Sequence, residues 1–439
     1  MTLQTGRKSI CIHTLGCKVN SYESEAIWQL FEQAGYQRVQ NDVAADVFVV
    51  NTCTVTNTGD KKSRQVIRRA VRNNPDAVIC VTGCYAQIAS DQVLEIPGVD
   101  IVIGTQERDR LVGLVQAFER SRQPINAVSN IMKTKVFEEL SALHFTERTR
   151  ASLKIQEGCN NFCTFCIIPW ARGLIRSRKP ESVVEQMQKL VQSGYQEIVL
   201  TGIHTGGYGH DLEDCSLAQL LTKIDREVDS VFRVRIASVE ASQITDELIN
   251  VLAKSDKFVP HLHVPLQSGS DTVLTRMNRK YSVRAFAERL ARLREVHPRI
   301  AITTDVIVGF PGETEEEFQE TYDFTREMKF SELHVFPYSK RTGTPAATYP
   351  NQVAEDVKEA RVEKLIALSN MLALEYARGF CGEMVNVIPE DTKVDGQLVG
   401  YAENYLRIVF DGQDDLIGQV VKVKVLEAGY PFSKGEIVV

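Results

Sequence analysis

Residues 152–169 read SLKIQEGCNNFCTFCIIP: an apolar run, a glycine, then Cys159, Cys163 and Cys166 in the spacing C-x3-C-x2-C. The run SLKIQ marks a strand, and cysteines in the turn just beyond it can aim three thiols at one point. With ten cysteines in 439 residues, this spacing arises by chance in roughly 1 of 200 such chains. Thiolates suit iron-sulfur clusters or zinc. A structural zinc site usually needs a fourth ligand, and no cysteine or histidine follows before His204. Zinc stays open as the weaker alternative.

Downstream of this stretch the apolar runs EIVLTG, FRVRIAS, HLHVPLQ, AITTDVIVGF and ELHVFPYS alternate with helical stretches such as PESVVEQMQKLVQSG and FAERLARLREVH. Together with SLKIQ they make six βα units, which predicts a partial (β/α)6 barrel over 148–376. A helix is expected from Val353 to about Arg378. Short alternating runs with turn residues then predict a small C-terminal all-β barrel over 377–439. Upstream, SICIHTLGC, DVFVVNTC, AVICVTGC and VDIVIGT alternate with amphipathic stretches. They predict a Rossmann-like domain with a parallel sheet over 8–120, followed by a connection with some extended structure at 121–147. The class is α/β. Cys17, Cys53 and Cys84 each end one of the first three runs, so a parallel sheet would bring all three to one edge. Cys11 and Cys80 sit inside strands and read as core; Cys215 and Cys381 have no evident partners.

The composition, 25% charged and 43% hydrophobic, is that of a chain with two or three ordinary cores. No long apolar leader and no run of 18 apolar residues is present, so a cytoplasmic protein without a membrane span is expected. Ten cysteines are too sparse for a disulfide scaffold, and a reducing compartment would leave them free for metals. The net charge of −6 excludes a uniformly basic surface but not a local basic patch. Between Lys61 and Arg72 there are six cations and no acid. Lys61, Arg64, Arg68 and Arg72 follow helical spacing, with Lys62 and Arg69 beside them. A solvated helix face explains them equally well.

An iron-sulfur cluster held by three cysteines leaves one iron open. Such an iron can chelate the amino and carboxylate groups of S-adenosylmethionine (SAM), whose sulfonium then lies where one electron releases a deoxyadenosyl radical. The triplet at the start of a βα partial barrel resembles the radical SAM superfamily. With LGCKVN, NTCTVTN, TGCYAQ, TGIHTGGYG, PLQSGS and TDVIVGFPGET, nearly the whole chain resembles the methylthiotransferases. The resemblance implies a four-iron four-sulfur cluster on Cys159, Cys163 and Cys166 and an auxiliary one on Cys17, Cys53 and Cys84. It also implies a C-terminal TRAM domain that helps bind substrate. In that family one SAM supplies a methyl group to sulfur and a second supplies the radical that activates an unreactive C–H bond. Acid-base chemistry does not reach such a hydrogen, because its acidity is far outside the range of protein side chains.

Candidate SAM contacts lie after barrel strands: Thr201, Gly202, Glu240, Gln267, Ser268 and Gly269, each of which an ordinary turn would also explain. The turn Gly309–Glu313 is explained by its own chemistry, with Glu313 favouring the following helix N-terminus; a place near SAM is a further reading. GCKVN and LTGIHTGGYG resemble the subgroup acting on N6-threonylcarbamoyladenosine beside the tRNA anticodon, at position 37. The alternatives are the isopentenyladenosine subgroup and a non-catalytic iron-sulfur RNA-binding redox sensor. Candidate RNA contacts are Lys61, Arg64, Arg68, Arg69 and Arg72, and, near the barrel mouth, Arg172, Arg176, Arg178 and Lys179. Tyr401, Tyr405 and Phe410 are candidates to stack on bases, with core packing the competing reading. The reaction further implies a low-potential electron donor and a sulfur donor.

Overall fold

The computed structural model describes residues 6–40, 43–55, 57–143, 145 and 149–438. Thr56 and parts of the expected connection (144, 146 and 147) lie outside them. Packing divides the chain into two units, one formed by 1–144, 156–178 and 339–347, the other by 145–155, 179–338 and 348–439. The cysteine triplet therefore packs with the N-terminal sheet.

In the first unit, β1 (Ser9–Thr14), β2 (Gln37–Arg38), β3 (Val47–Thr52), β4 (Val78–Gly83), β5 (Ile101–Val102) and β6 (Ile125–Asn126) form one parallel sheet. Its order is β2-β1-β3-β4-β5-β6. Successive side chains point to opposite faces. Ile10, Ile12, Val47, Val49, Val78 and Cys80 pack with Ile27 and Phe31 of α1 (Lys18–Gln33). Cys11, Phe48, Val50, Ile79 and Val81 pack on the other face with Ile67 and Ala70 of α2 (Asn57–Asn73). Because both faces are covered, the strands read as unbroken apolar runs. Cys11 and Cys80 are core residues, as their position suggested. The described part of the connection carries the two-residue strand β6 and one short turn at Ile131–Lys133, and the rest of it beyond Ser121 has no regular secondary structure. It is pinned to this unit where Tyr22 donates to the Leu140 carbonyl at 2.5 Å.

The last two residues of β7 (Ala151–Glu157) belong to the first unit, where they pair antiparallel with β8 (Arg176–Ser177). In the second unit β7 neighbours β9 (Glu197–Gly202), which pairs in parallel with β10 (Arg233–Ile236). β11 (His261–His263), β12 (Ala301–Val308) and β13 (Glu332–Pro337) form a second parallel set. A parallel bridge from Val234 to Phe258 links the sets into a six-stranded arc. Helices cross between the strands, and four of them begin on Ser216, Thr245, Ser282 and Thr314, whose hydroxyls accept from amides of the first turn. This is the partial barrel the sequence predicts.

The helix Glu355–Arg378 leads into a closed barrel, β14 (Met384–Val394), β15 (Gln397–Ala402), β16 (Arg407–Phe410), β17 (Val421–Glu427) and β18 (Ser433–Ile437), in the order β14-β15-β16-β18-β17. Phe410 is fully buried in its core beside Leu398 and Ile408, so the expectation that it stacks on a base is corrected. Tyr405 is stacked on His261 at 4.6 Å, with the Arg235 guanidinium 4.3 Å from its ring centre, and Tyr401 lies under Arg150 at 4.8 Å. Both rings are engaged within the protein.

Beneath them Glu197 is fully buried, 2.5 Å from Arg233 and 2.9 Å from Arg235. Burial disfavours its charge, but the arginines outweigh this and hold its carboxyl at about 2, below the usual 4.5. The Glu197 carboxylate with its two arginines contributes stability in full above about pH 4.5 and loses it as pH falls towards 2, on the order of 3 kcal/mol in all. In acid unfolding followed by circular dichroism, Glu197→Gln should be less stable at neutral pH and lack that part of the acid sensitivity.

Candidate functional site

β1, β3 and β4 are adjacent, with Thr14 opposite Asn51 and Thr52 opposite Gly83. Cys53 and Cys84 therefore leave their strands side by side, and Cys17 leaves the neighbouring strand one turn of loop later. All three are free thiols. Two local features fix the edge. Gly83 has φ +94°, and a Cβ there would come within 2.5 Å of the Thr52 carbonyl oxygen, so only glycine can precede Cys84. Asn20 donates to the carbonyls of Leu15 and Thr52 at 2.7 and 3.0 Å, tying the Cys17 loop to the Cys53 strand. Cys84 is buried and Cys53 half-buried, while Cys17 is exposed. Burial pushes the Cys84 thiol up to about 12, opposed by the charge of Arg172, and raises Cys53 as well. Coordination to iron removes such protons outright. Three thiols at one strand edge, with a guanidinium N–H on one sulfur at 3.1 Å, form a donor set that fits an iron-sulfur cluster.

The triplet occupies the loop between β7 and the short helix Ile168–Arg172. Gly158 opens it at φ +73°, where a Cβ would lie 2.0 Å from the Leu174 carbonyl oxygen. The Cys159 amide donates to the Gly173 carbonyl at 3.0 Å, the Cys166 amide to Cys163 at 3.0 Å, and the Ile175 amide to the Asn160 side chain at 3.0 Å. Phe162 takes φ +47° and meets Trp170 edge to face at 5.4 Å. The Ala346 amide closes the loop on the Thr164 carbonyl at 2.9 Å. Cys163 is buried, Cys159 and Cys166 half-buried. This donor set also fits a cluster, three thiols with one position left over.

In the second unit, the SAM candidates sit at strand ends as expected, but several have structural partners. The Ser268 hydroxyl is 3.1 Å from that of Thr321, and the Gly269 amide donates to the same oxygen at 3.0 Å. A Cβ on Gly269 would meet the Thr321 backbone at 2.7 Å. Glu240 pairs with Arg279 at 2.9 Å, Gln267 has φ +69°, and Thr201 is buried with Gly202 half-buried beside it. Glu313 turns back on its own loop: it accepts from the Gly309 amide at 3.1 Å and from Arg361 at 2.8 Å, and burial raises its carboxyl. Thr314, not Glu313, caps the next helix.

The basic candidates separate into two groups. On α2, Lys61, Lys62, Arg68, Arg69 and Arg72 are exposed, and Arg64 is half-buried with its guanidinium 3.0 Å from the Tyr85 hydroxyl. Lys179 is also exposed. Arg172, Arg176 and Arg178 are buried, which corrects their reading as phosphate contacts. Arg172 pairs with Glu23 at 2.6 Å and Glu157 at 3.1 Å, Arg178 pairs with Glu139 at 2.8 Å, and Arg176 donates to the carbonyls of Leu174 and Arg172.

Sequence reading missed one cluster. His263, Asp305 and His334 meet across β11, β12 and β13, each imidazole 3.2 Å from one Asp305 oxygen. The Thr303 hydroxyl holds the other nitrogen of His263 at 2.9 Å. The rings stack 20° from parallel at 5.3 Å, so their in-plane lone pairs run side by side rather than converging. That geometry is a clamp on a carboxylate, which lies well below its usual pKa range because the two imidazoles outweigh its burial. No local motif announces it, since the three residues come from three strands.

Comparison with known proteins agrees with this architecture. The family described as "Radical SAM superfamily" matches residues 153–325, "Uncharacterized protein family UPF0004" matches 9–104, and "TRAM domain" matches 380–438. The chain is 63% identical over 434 residues to the threonylcarbamoyladenosine tRNA methylthiotransferase MtaB of Bacillus subtilis, covering 98% of this chain and 96% of the relative. It is 36% identical over 430 residues to the tRNA-2-methylthio-N(6)-dimethylallyladenosine synthase of Carboxydothermus hydrogenoformans, covering 96% and 97%. Among solved structures, the radical SAM methyltransferase TsrM of Kitasatospora setae superimposes with a TM-score of 0.58 at 14% identity, covering 88% of this chain and 79% of that one. The latter likeness concerns the fold alone. Sheet, partial barrel and closed barrel, two cysteine triads and 63% identity to a methylthiotransferase over nearly the full length together place the chain in the radical SAM methylthiotransferase family.

Proposed function

We propose that the protein methylthiolates C2 of N6-threonylcarbamoyladenosine at position 37 of tRNA, with SAM as both methyl donor and radical source. The observation that carries this reading is the 63% identity across 98% of the chain to the Bacillus enzyme of that name, against 36% to the dimethylallyladenosine enzyme. Cys159, Cys163 and Cys166 would hold the cluster that cleaves SAM, and Cys17, Cys53 and Cys84 the auxiliary cluster. When bound, these clusters supply a low-potential electron with an open coordination site, and a place to carry sulfur. The spans 8–120, 121–147, 148–376 and 377–439 are the proposed division by chain order. Thr201, Gly202, Glu240, Gln267, Ser268 and Gly269 remain the proposed SAM contacts. For Ser268 and Gly269 this is restricted to backbone groups other than the Gly269 amide, because Thr321 engages the Ser268 hydroxyl and the Gly269 amide.

The reading requires a low-potential electron donor and a sulfur source. Among the described residues no helix is long and apolar enough to cross a membrane. Anaerobic, cluster-loaded protein should convert threonylcarbamoyladenosine-bearing tRNA to its methylthio form, with SAM split to 5′-deoxyadenosine. Turnover on dimethylallyladenosine-bearing tRNA instead would contradict the substrate assignment.

tRNA would be met by the exposed cations of α2, and the exposed Lys179 of the second unit is a separate candidate contact. Each phosphate contact adds roughly 0.7 to 0.9 to the slope of log K against log salt. Replacing Arg68, Arg69 and Arg72 together by Ala should therefore weaken tRNA binding more than tenfold at low salt and flatten the slope by about two to three. Fluorescence anisotropy over a salt series reads both, and an unchanged slope contradicts this interface.

A further inference from the structure

Arg172 follows the last cysteine of the triplet by six residues, yet its side chain ends on the other cysteine set. Its Nε lies 3.1 Å from Cys84 Sγ. Nη1 donates to Glu23 Oε1 at 2.6 Å and Glu157 Oε2 at 3.1 Å, and Nη2 donates to Glu23 Oε2 at 3.1 Å and to the Asn20 side chain. Both Nη atoms of the planar fork are thus gripped end-on by the two oxygens of Glu23 and flanked by Glu157 and Asn20, and that grip fixes the direction of the remaining N–H, which points at sulfur. Asn20 in turn ties the Cys17 loop to the end of the Cys53 strand. The backbone of the same turn serves the triplet: Gly173, the next residue, accepts from the Cys159 amide at 3.0 Å. Thr105 adds a further tie, donating to the Ala171 carbonyl at 2.8 Å. All of these residues belong to the first unit.

We propose that Arg172 is a positioning residue shared by the two cysteine sets: its guanidinium holds the Cys84 sulfur while the turn that carries it holds Cys159. The inference rests on the reading of Cys17, Cys53 and Cys84 as auxiliary-cluster ligands. Hydrogen bonds and positive charge at a ligand sulfur favour the reduced, more negative cluster and raise its potential. A lysine keeps one charge but cannot reproduce a bidentate grip together with a directed fifth donor.

The test uses cluster-loaded protein in which Cys159, Cys163 and Cys166 are Ala, so that the auxiliary cluster is observed alone. Iron content and the electron paramagnetic resonance of the reduced protein first establish that the cluster is present; its absence defeats the ligand assignment itself. With the cluster present, Arg172→Lys should shift its potential downward in a potentiometric titration. In otherwise unaltered protein carrying 15N-arginine, pulsed resonance of the auxiliary cluster should show a 15N coupling that Arg172→Lys removes. An unchanged potential, or an equal shift of both clusters in the full protein, overturns the inference. Should Arg172→Lys fail to fold, the labelled protein decides alone, and absence of the coupling overturns it.

Discussion

Replacing Cys163 by Ala is expected to reduce 5′-deoxyadenosine release and methylthio product to background, while bound iron falls from about eight to about four per chain rather than to zero. Cys163 is buried, and its carbonyl accepts from the Cys166 amide. On the proposed assignment, removing its sulfur would leave two ligands where three are needed, without touching the strand edge that carries Cys17, Cys53 and Cys84. Cys53→Ala should lose a similar amount of iron but give the opposite split: 5′-deoxyadenosine is still released from SAM, and no methylthio group reaches the tRNA. Iron analysis with product quantification on both variants checks the division of labour. Methylthio product from Cys53→Ala would contradict it.

The second large effect concerns folding of the first unit. Glu23 is fully buried and is the shared partner of two buried arginines, 2.6 Å from Arg108 and 2.6 Å from Arg172. Removing one partner of a buried ion pair leaves charge without compensation, at a cost of about 3–5 kcal/mol. Here two guanidiniums lose a partner, although Glu138 and Glu157 remain. Glu23→Ala should therefore destabilise the first unit by about that amount. Both tryptophans, Trp28 and Trp170, lie in that unit, so the urea transition of their fluorescence reports it directly. A midpoint within error of the parent protein would show that the network carries no net stability.

The sheet edge is legible in the sequence because its pattern is local and periodic. Apolar runs ending near cysteines at near-regular intervals predict parallel strands, and parallel strands ending together bring Cys53 and Cys84 into register, with Cys17 in the loop that leaves the neighbouring strand. The triplet was legible for the same reason, as were the six barrel strands and the closed β-barrel. The failures share a different cause. ARGLIRSRK reads as an exposed basic stretch only while its partners are unknown, and Glu23, Glu139 and Glu157 come from far along the chain or across a turn. Charge pattern reports local density, not long-range pairing. α2 differs because its apolar residues Ile67 and Ala70 face the sheet and leave most of its cations outside. Phe410 obeys strand alternation but belongs to the inward set. His263, Asp305 and His334 were invisible because register, not spacing, brings them together.

The central claim, that this chain modifies threonylcarbamoyladenosine, is tested most directly by mass spectrometry of tRNA nucleosides from cells with and without its gene. Without the gene, the 2-methylthio form of threonylcarbamoyladenosine should be lost, its unmodified precursor should accumulate, and 2-methylthio-dimethylallyladenosine should stay unchanged. Retention of the first form, or loss of the dimethylallyl form in its place, would contradict it.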